Sequence, residues 1–350
     1  MKDNKKLISL IIISVITLGL ISSMIAIINS DSDTSFISFG YSNERVVIEL
    51  EKDETYENVF DTIKIKAHPA KIEVKKSENE KIRVLVYAEK NNAEIKNNGN
   101  ELYIDVKSKT CKFLCFNNKL SKIELYLPEN YDKNLKIEGR SGNINISDFI
   151  NMNVDIEQTA GDVEIASVKN ANIKVSSGDI KIDTVFENAE LKSTSGDITV
   201  DTIIGNANLK ATSGDIELEK AKTANITANS GNINVDTIEE SGELKATTGD
   251  ITANKITNVK IKTSSGDIEL GDVKEYIEAE ASSGDIKVDS LEIAKDSKME
   301  ARSGDITIRK TNDIYIETKT GSGDSKIENN NRKSEITLKL ETTSGDIKVK

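Results

Sequence analysis

The strongest constraint on the fold is one short motif, Ser-Gly-Asp-Ile, which recurs about every 18 residues over residues 138–350. Aligned on the glycine, twelve copies are present, and neighbouring glycines lie 17 to 22 residues apart. A repeat of this length cannot bury its apolar face alone, so each copy needs a neighbouring copy to pack against. The sequence therefore predicts repeated units that stack on one another.

Apolar residues recur at fixed distances from each glycine. In the copy centred on Gly214, Leu209 lies five residues before the glycine, and Ile216 and Leu218 lie two and four residues after it. This alternation predicts a strand with one buried face on each side of the motif. Glycine adopts positive φ readily, and the aspartate carboxylate can bond nearby backbone N–H groups in turns. The motif is therefore predicted to be a structural corner, and its most regular copies are Gly178, Asp179, Gly196, Asp197, Gly214, Asp215, Gly249, Asp250, Gly266, Asp267, Gly284 and Asp285.

Two strand arrangements fit this pattern. In a meander, Ser-Gly forms the loop of a hairpin and Leu209 faces Leu218. In a solenoid, each repeat forms one coil, and equivalent positions of successive coils stack in register. The solenoid is favoured because stacking gives every coil the same neighbours. The predicted fold is all-β: a β-solenoid of about twelve coils of about 18 residues, with an N-terminal β cap, after an N-terminal transmembrane helix.

The aspartate of the motif could serve geometry or chemistry. Ten copies carry Asp after the glycine, whereas Asn143 and Asn232 take its place in the other two. Asparagine keeps the turn-forming ability and loses the charge, so the pattern favours a geometric role. A calcium site needs several converging oxygens, whereas each coil offers one corner carboxylate. Weak cation binding by stacked carboxylates is the alternative, and we predict no metal site, no cofactor and no catalytic residue.

The N-terminal segment has the features of a membrane anchor. Residues 7–28 form an uncharged, mostly apolar stretch that is long enough to cross a bilayer. The lysines of residues 1–6 predict a cytoplasmic basic flank, and residues 29–35 read as a polar linker. A cleaved signal peptide is the competing interpretation, although the apolar stretch is long for one and no clean cleavage site follows. Either interpretation exports the remainder of the chain.

Residues 36–137 are strand-like but less regular than the repeats, which predicts an N-terminal β cap that seals the first coil. This region contains both cysteines, Cys111 and Cys115. Export would permit a local disulfide between them, although their spacing alone does not establish its geometry. The single histidine, His68, precedes Pro69 and is predicted to lie in a loop.

The charge of the chain is concentrated in the repeats. Residues 138–350 contain 39 acidic and 26 basic side chains, a net charge of −13. Such a rod has no electrostatic reason to bind nucleic acid. A solvated acidic surface is the simplest interpretation, and a cationic peptide or basic surface is the kind of partner that the net charge would attract.

The Ser-Gly-Asp-Ile repeats, residues 121–146 and the N-terminal apolar segment together resemble the bacterial putative-adhesin family of β-strand-repeat envelope proteins. The resemblance covers roughly residues 36–350. It implies a β-solenoid on the cell envelope of a Gram-positive bacterium, with a role in surface interaction or envelope stress. The family defines no catalytic residues, so none can be assigned here.

The leading functional hypothesis is a non-enzymatic, membrane-anchored extracellular scaffold or adhesin-like rod, at the cell membrane with one membrane pass. Its expected contacts are the membrane, through residues 7–28, and an unidentified envelope or surface protein. A calcium-dependent repeat module and a glycan-active β-helix enzyme are the alternatives. The final copy ends at Lys350, five residues after Gly345. This predicts an open strand edge at the last coil, where edge-mediated self-association could occur.

Overall fold

The computed structural model describes residues 47–107 and 120–350, and the described residues contain strands and no helix. No stretch among them could therefore cross a membrane as a long apolar helix. The predicted anchor at 7–28, its flank at 1–6 and the linker at 29–35 lie outside the described residues. The first eight strands are β1 (Glu49–Tyr56), β2 (Thr62–His68), β3 (Ala70–Lys76), β4 (Ile82–Ala88), β5 (Ala93–Asn97), β6 (Glu101–Lys107), β7 (Ser121–Leu127) and β8 (Asn134–Ser141).

The repeats supply the other sixteen strands, and each coil is named below by the glycine at its corner. The regular part of the stack comprises β9 (Ile144–Ala160), β10 (Val163–Ser177), β11 (Ile180–Val185), β12 (Ala189–Ser195), β13 (Ile198–Ser213), β14 (Ile216–Ser230), β15 (Ile233–Thr248), β16 (Ile251–Ser265), β17 (Ile268–Ser283), β18 (Ile286–Ile293) and β19 (Ser297–Ser303). The C-terminal part comprises β20 (Ile306–Ile308), β21 (Tyr315–Ser322), β22 (Ser325–Ile327), β23 (Thr337–Ser344) and β24 (Ile347–Val349).

Successive coils pair in parallel through equivalent positions. Ile198 pairs with Ile216, and Ile216 pairs in turn with Ile233. The meander is therefore wrong, because a hairpin would pair the two arms of one repeat in antiparallel fashion. The predicted β-solenoid of about twelve coils is confirmed. Its interior is formed by the positions that alternate along both arms, as in the Gly214 coil, whose Leu209, Ile216 and Leu218 are at most 1% exposed.

Coils of 17 and 18 residues stack without losing register because the length difference is absorbed at one place. The ladder between β13 and β14 shifts between Ile203 and Asn206, and the next ladder shifts between Ala221 and Thr223. Both shifts follow the buried residue seven positions after the glycine. A β-bulge there takes up the extra residue, while the Ser-Gly-Asp corner keeps a constant length.

At the N-terminal end, the coils do not follow sequence order. Strands β2 and β3 form a coil that lies between the β6–β7 coil and the Gly142 coil, which is built from β8 and the start of β9. Antiparallel strands then extend the outer coil: β4 and β1 beyond β7, and β5 beyond β6. Parallel stacking therefore begins at Thr62, and the structure has no boundary at residue 138, because β8 runs through it.

The C-terminal end contradicts the predicted open edge of the last coil. Strand β23 pairs with β19 on one side and β21 on the other, and β24 lies likewise between β20 and β22. The Gly345 coil, the last in sequence, is thus inserted between the Gly304 and Gly323 coils. Among the described residues, the outermost coil at this end is that of Gly323, and its strands β21 and β22 are paired on one side only.

The outermost coil differs from the others in its inward-facing residues. Thr318 and Ser325 occupy positions that are apolar in the coils below, and the Ser325 hydroxyl donates a hydrogen bond to the Thr318 hydroxyl over 3.1 Å. The side chain of Asn330 covers part of the free edge: its amide donates to the carbonyl of Ile316 over 2.8 Å, and its oxygen accepts from the Ile316 N–H over 2.9 Å. This coil is a polar end cap of the kind that solenoids require.

Candidate functional site

The predicted corner residues form one continuous line along the stack. Every corner glycine has a positive φ, between 107° and 154°. A Cβ built on Gly214 would lie 2.2 Å from the carbonyl oxygen of Gly196 in the coil below, and the other corners are equally close. Glycine is therefore required twice, by its backbone conformation and by the close approach of neighbouring coils.

The aspartate after each glycine links its coil to the next one. The Oδ1 atom of Asp197 accepts a hydrogen bond from the backbone N–H of Asp215 over 2.8 Å, and Asp215 accepts in turn from the N–H of Asn232 over 2.6 Å. The same contact joins the corners from Asn143 to Asp324. An asparagine oxygen serves equally well as the acceptor, as the bond from Asp250 N–H to Asn232 over 2.9 Å demonstrates. The ladder therefore accounts for both residue types without invoking charge.

The stacked carboxylates are the candidate cation site. Within residues 47–107 and 120–350, no three acidic, histidine or cysteine side chains converge in a way that could hold a metal ion. Lys287 instead lies 3.8 Å from Oδ2 of Asp267 and 3.7 Å from Oδ2 of Asp285, so a lysine bridges two neighbouring corners. At this position an ammonium group offsets the repulsion between stacked carboxylates.

A buried polar position next to the corner is not evident from the motif. Three residues before the glycine, most coils have a small residue, but Ser193, Thr263 and Thr342 are polar and buried. Each hydroxyl donates a hydrogen bond to the corner-glycine carbonyl of the neighbouring coil, over 3.1–3.4 Å. Gln158 makes the same contact through its amide, to Gly142. The signal in the sequence is the recurrence of Ser and Thr at an inward-facing position.

The remaining candidate residues lie at the N-terminal end. Cys111 and Cys115 belong to residues 108–119, which lie outside the described residues, so the disulfide stays a prediction. His68 is the last residue of β2 and pairs with Lys107, which corrects its assignment to a loop. Its Nδ1 atom is buried, and no group of residues 47–107 or 120–350 forms a hydrogen bond with it. The continued parallel ladder explains the difference, because the chain turns only at Pro69.

An ion-pair network crosses β3 and β7 at this end. The carboxylate of Glu73 lies 2.8 Å from the Lys71 ammonium, 2.5 Å from Lys75 and 3.2 Å from Lys122, and Glu124 also contacts Lys75 and Lys122. These lysines lower the pKa of Glu73 to about 2. The side chains of Glu73 and Glu124 are only 14% and 12% exposed, which strengthens the electrostatic interaction. The network joins two adjacent coils and is a stabilising element.

A shallow groove of about 490 Å³ crosses five coils on the same side of the stack as the strands that precede each glycine. Its wall is a ladder of asparagines eight residues before the glycine. Their side-chain amides donate over 2.8–3.1 Å from Asn153 to Asn134, Asn170 to Asn153 and Asn206 to Asn188. Between Asn188 and Asn170, the backbone N–H of Asn188 donates to the Asn170 side-chain oxygen over 3.0 Å. The side-chain oxygen of Asn172, which also lines the groove, is buried and unpartnered. The groove presents amides to solvent, and its asparagines mainly bond to one another.

In the six coils from Gly178 to Gly266, the two outer sides of the stack carry opposite charges. The pre-glycine face consists of the outward positions six, four and two residues before the glycine, taken from the Gly178 coil to the Gly266 coil. It contains six lysines and two glutamates, a net charge of +4. The post-glycine face consists of the positions one, three and five after the glycine in the same coils. It contains eleven carboxylates and one lysine, a net charge of −10.

Five of the six lysines on the pre-glycine face form one lysine row, four residues before the glycine. The strand register places Lys174 beside Lys192, Lys192 beside Lys210, and Lys245 beside Lys262. Thr227 occupies the one intervening position. Glutamates bound the row at both ends, at Glu157 and Glu280. The acidity that the sequence assigned to the whole rod therefore belongs to only part of its surface.

Solved structures of several bacterial proteins are similar to the chain. One is described as a putative adhesin from Bacteroides fragilis, with a TM-score of 0.33 and 16% identity over 85% of this chain and 96% of that chain. A putative cell adhesion protein from Clostridium sporogenes has a TM-score of 0.24 and 11% identity over 85% and 98% of the two chains. A putative adhesin from Parabacteroides merdae has a TM-score of 0.29 and 14% identity over 88% and 98%.

Among curated protein sequences, none matches the chain. The family model described as Toastrack DUF4097 matches residues 60–250 and, in a second match, residues 220–350. These matches begin beside β2, where parallel stacking starts, and continue to the last residue. The predicted resemblance to a β-repeat, adhesin-like family is confirmed. The chain, whose coils repeat one glycine corner along a parallel stack, belongs to the Toastrack DUF4097 family.

Proposed function

We propose that this protein is a non-enzymatic interaction rod, anchored in the cell membrane of a Gram-positive bacterium by residues 7–28, with the solenoid outside the cell. The observation that carries the proposal is the surface of the stack: outward residues form rows in register, and the two faces differ in charge from +4 to −10. Rows of this kind suit many weak, repeated contacts with an extended partner. An adhesin-like or envelope-scaffold role uses such contacts directly.

The anchor is proposed from the sequence. Residues 7–28 carry no charge and follow a lysine-rich flank, which would remain in the cytoplasm while the C-terminal region is exported. The absence of an enzymatic role is likewise a proposal. It is supported by the distribution of carboxylates, which recur at the same positions of successive coils and do not form one singular cluster among the described residues.

Expression of the full chain in a Gram-positive host tests the proposal. We expect the protein to remain in the membrane fraction with its N-terminal residues intact, and extracellular protease to cleave the C-terminal region on whole cells. We also expect the cells to bind isolated envelope material more strongly than vector-only cells, without release of new reducing ends from its glycans. N-terminal sequencing that begins near residue 30 would overturn the anchor, and unchanged binding would overturn the interaction role.

A further inference from the structure

We propose that the pre-glycine face binds a linear anionic polymer, with the polymer running along the lysine row and its charged groups paired with successive lysines. The proposal rests on the proposed function for its extracellular setting and specifies the chemical class of the partner. The ligand class is a chain with phosphate or carboxylate groups at short, regular intervals and hydroxyl groups between them.

The first three members of the lysine row repel one another in the absence of a ligand. Lys174, Lys192 and Lys210 lie on adjacent strands, which are about 4.8 Å apart, and like charges directly opposite each other destabilise a sheet. Lys192 and Lys245 pair with glutamates of their own strands, and Lys262 pairs with Glu280 of the next coil. Among the described residues, no ion pair involves Lys174 or Lys210. Both of these side chains are exposed. An anionic polymer would neutralise several of these ammonium groups at once.

The residues around the lysine row can complete such a site. A row of exposed hydroxyls runs parallel to the lysine row, two residues before each glycine, and includes Ser176, Thr194 and Thr212. On the other side of the lysines lie the amides of Asn172 and Asn208. Hydroxyls and amides can donate hydrogen bonds to phosphate, carboxylate and sugar oxygens. The surface is flat because the strands are extended and in register, so it can contact a chain along its whole length.

The dimensions of the face favour a polymer over a second copy of the protein. Six coils span roughly 24 Å along the stack, and the three outward positions span about 15–20 Å across it, so the face covers on the order of 400–500 Å². A stable protein interface needs about 800 Å² from each partner. The oppositely charged face of a second copy would therefore give a small contact, between chains that each carry a formal net charge of −12. A polymer gains affinity from repeated ion pairs and needs no such area.

The test uses the full chain in nanodiscs of zwitterionic lipid and measures binding by interferometry. The probes are linear polyphosphate, polygalacturonate and neutral dextran of similar length. The test variant is Lys174→Gln/Lys192→Gln/Lys210→Gln. The matched control, Lys181→Gln/Lys220→Gln/Lys255→Gln, removes the same charge from the side of the coils that follows the glycine.

We expect at least one polyanion to bind the wild-type protein and dextran not to bind. The test variant should weaken polyanion binding by about tenfold or more and make it less sensitive to salt, because fewer counterions are released. The control should bind as tightly as wild type or more so. Stronger binding of polyphosphate or of polygalacturonate identifies the anionic group.

Several outcomes would overturn the inference: no binding of either polyanion, equal losses in both triple variants, or tighter binding of single-stranded DNA than of either probe. Lysine-dependent self-association in sedimentation, without polymer binding, would assign the face to a second copy. Matching melting curves of the three proteins exclude unfolding as the cause. If polymer binding fails while cells that carry the protein still bind envelope material, the proposed function stands and another face is responsible.

Discussion

The corner geometry makes a quantitative prediction for Gly214→Ala. Gly214 has a φ of +146°, a backbone region that essentially only glycine occupies, and the new methyl group would lie 2.2 Å from the carbonyl oxygen and 2.7 Å from the carbonyl carbon of Gly196. Both obstacles are backbone atoms of the adjacent coil. Neither can be relieved by rotation of a side chain, so the two coils must separate locally.

Two costs add at this position. Holding a residue with a side chain in this part of φ/ψ space costs about 1–3 kcal/mol. Inserting a methyl group into a packed contact costs a further 1–3 kcal/mol, approximately. We therefore expect Gly214→Ala to lower the free energy of unfolding by about 2–6 kcal/mol, a large part of the total for a domain, which is about 5–15 kcal/mol. Because each coil contacts only its neighbours, the loss should be concentrated around residues 196–231.

Gly99→Ala is the matched control, because it separates the two costs. Gly99 also has positive φ, at +77°, but a Cβ there would meet no atom within 4 Å. Only the conformational cost of about 1–2 kcal/mol applies. Urea unfolding gives the global losses, and amide hydrogen exchange locates them along the stack. Similar losses in the two variants, or a loss below about 1 kcal/mol for Gly214→Ala, would refute the argument that neighbouring coils require glycine.

Three further changes test other parts of the structure. Asp215→Asn should leave the melting temperature nearly unchanged, whereas Asp215→Ala should cost about 1 kcal/mol because the N–H of Asn232 loses its acceptor; equal losses would revive a charge-dependent site. The pKa of Glu73, lowered to about 2, predicts stability that is fully present above pH 4.5 and falls as the pH drops toward 2. Urea midpoints at pH 7 and pH 3 should therefore differ less for Glu73→Gln, and an unchanged difference would contradict the network's role. In the outermost coil, Ser325→Ile should increase self-association in sedimentation. Lys348→Val should have a much smaller effect, because Lys348 lies in β24, which is paired on both sides. A larger effect of Lys348→Val than of Ser325→Ile would place the exposed edge at β24.

The corner and the stacking direction could be predicted from the sequence because they depend on local, repeated information. Each copy specifies the same glycine conformation and the same alternation, so Ile216 in one coil predicts the place of Ile233 in the next. The hydrogen-bond ladder of the aspartates could be predicted only in part from the sequence. The exchange of Asp for Asn indicates geometry, but the acceptor's partner, the N–H of the neighbouring coil, is known only once the coils are stacked.

The surface charge could not be read from the net charge. A total of −13 for the repeats conceals a basic face, because the net charge sums the outward residues of the strands before and after each corner. When the charges are sorted by their distance from the glycine, Lys210 falls on the pre-glycine face, whereas Asp201 and Asp215 fall on the post-glycine face. The lysine row is recognised only after this sorting. The expectation of a cationic partner came from the net charge of all the repeats. The charge of the pre-glycine face is instead the basis for proposing an anionic partner.

The order of the last coils follows from burial. The Gly345 coil directs Leu338, Leu340, Ile347 and Val349 inward, and all four are at most 1% exposed in the structure. The Gly323 coil has Thr318 and Ser325 opposite Leu340 and Ile347, and it keeps apolar residues, Ile316 and Ile327, opposite the other two. If the coils stacked in sequence order, the Gly345 coil would be outermost, and its apolar side chains would face solvent on one side.

The energies decide between the two orders. Full burial of an aliphatic side chain contributes about 1.5–3 kcal/mol, so leaving one face of both Leu340 and Ile347 uncovered would sacrifice about 1.5–3 kcal/mol. In the inserted order, Asp346 bonds to Asp305, which lies 41 residues earlier in the chain. In sequence order, each corner would bond to one only about 20 residues earlier. Doubling a loop costs only about 0.6 kcal/mol in closure entropy. Burial therefore outweighs chain connectivity, and the coil with fewer apolar inward-facing residues is outermost although a further repeat follows it in the sequence.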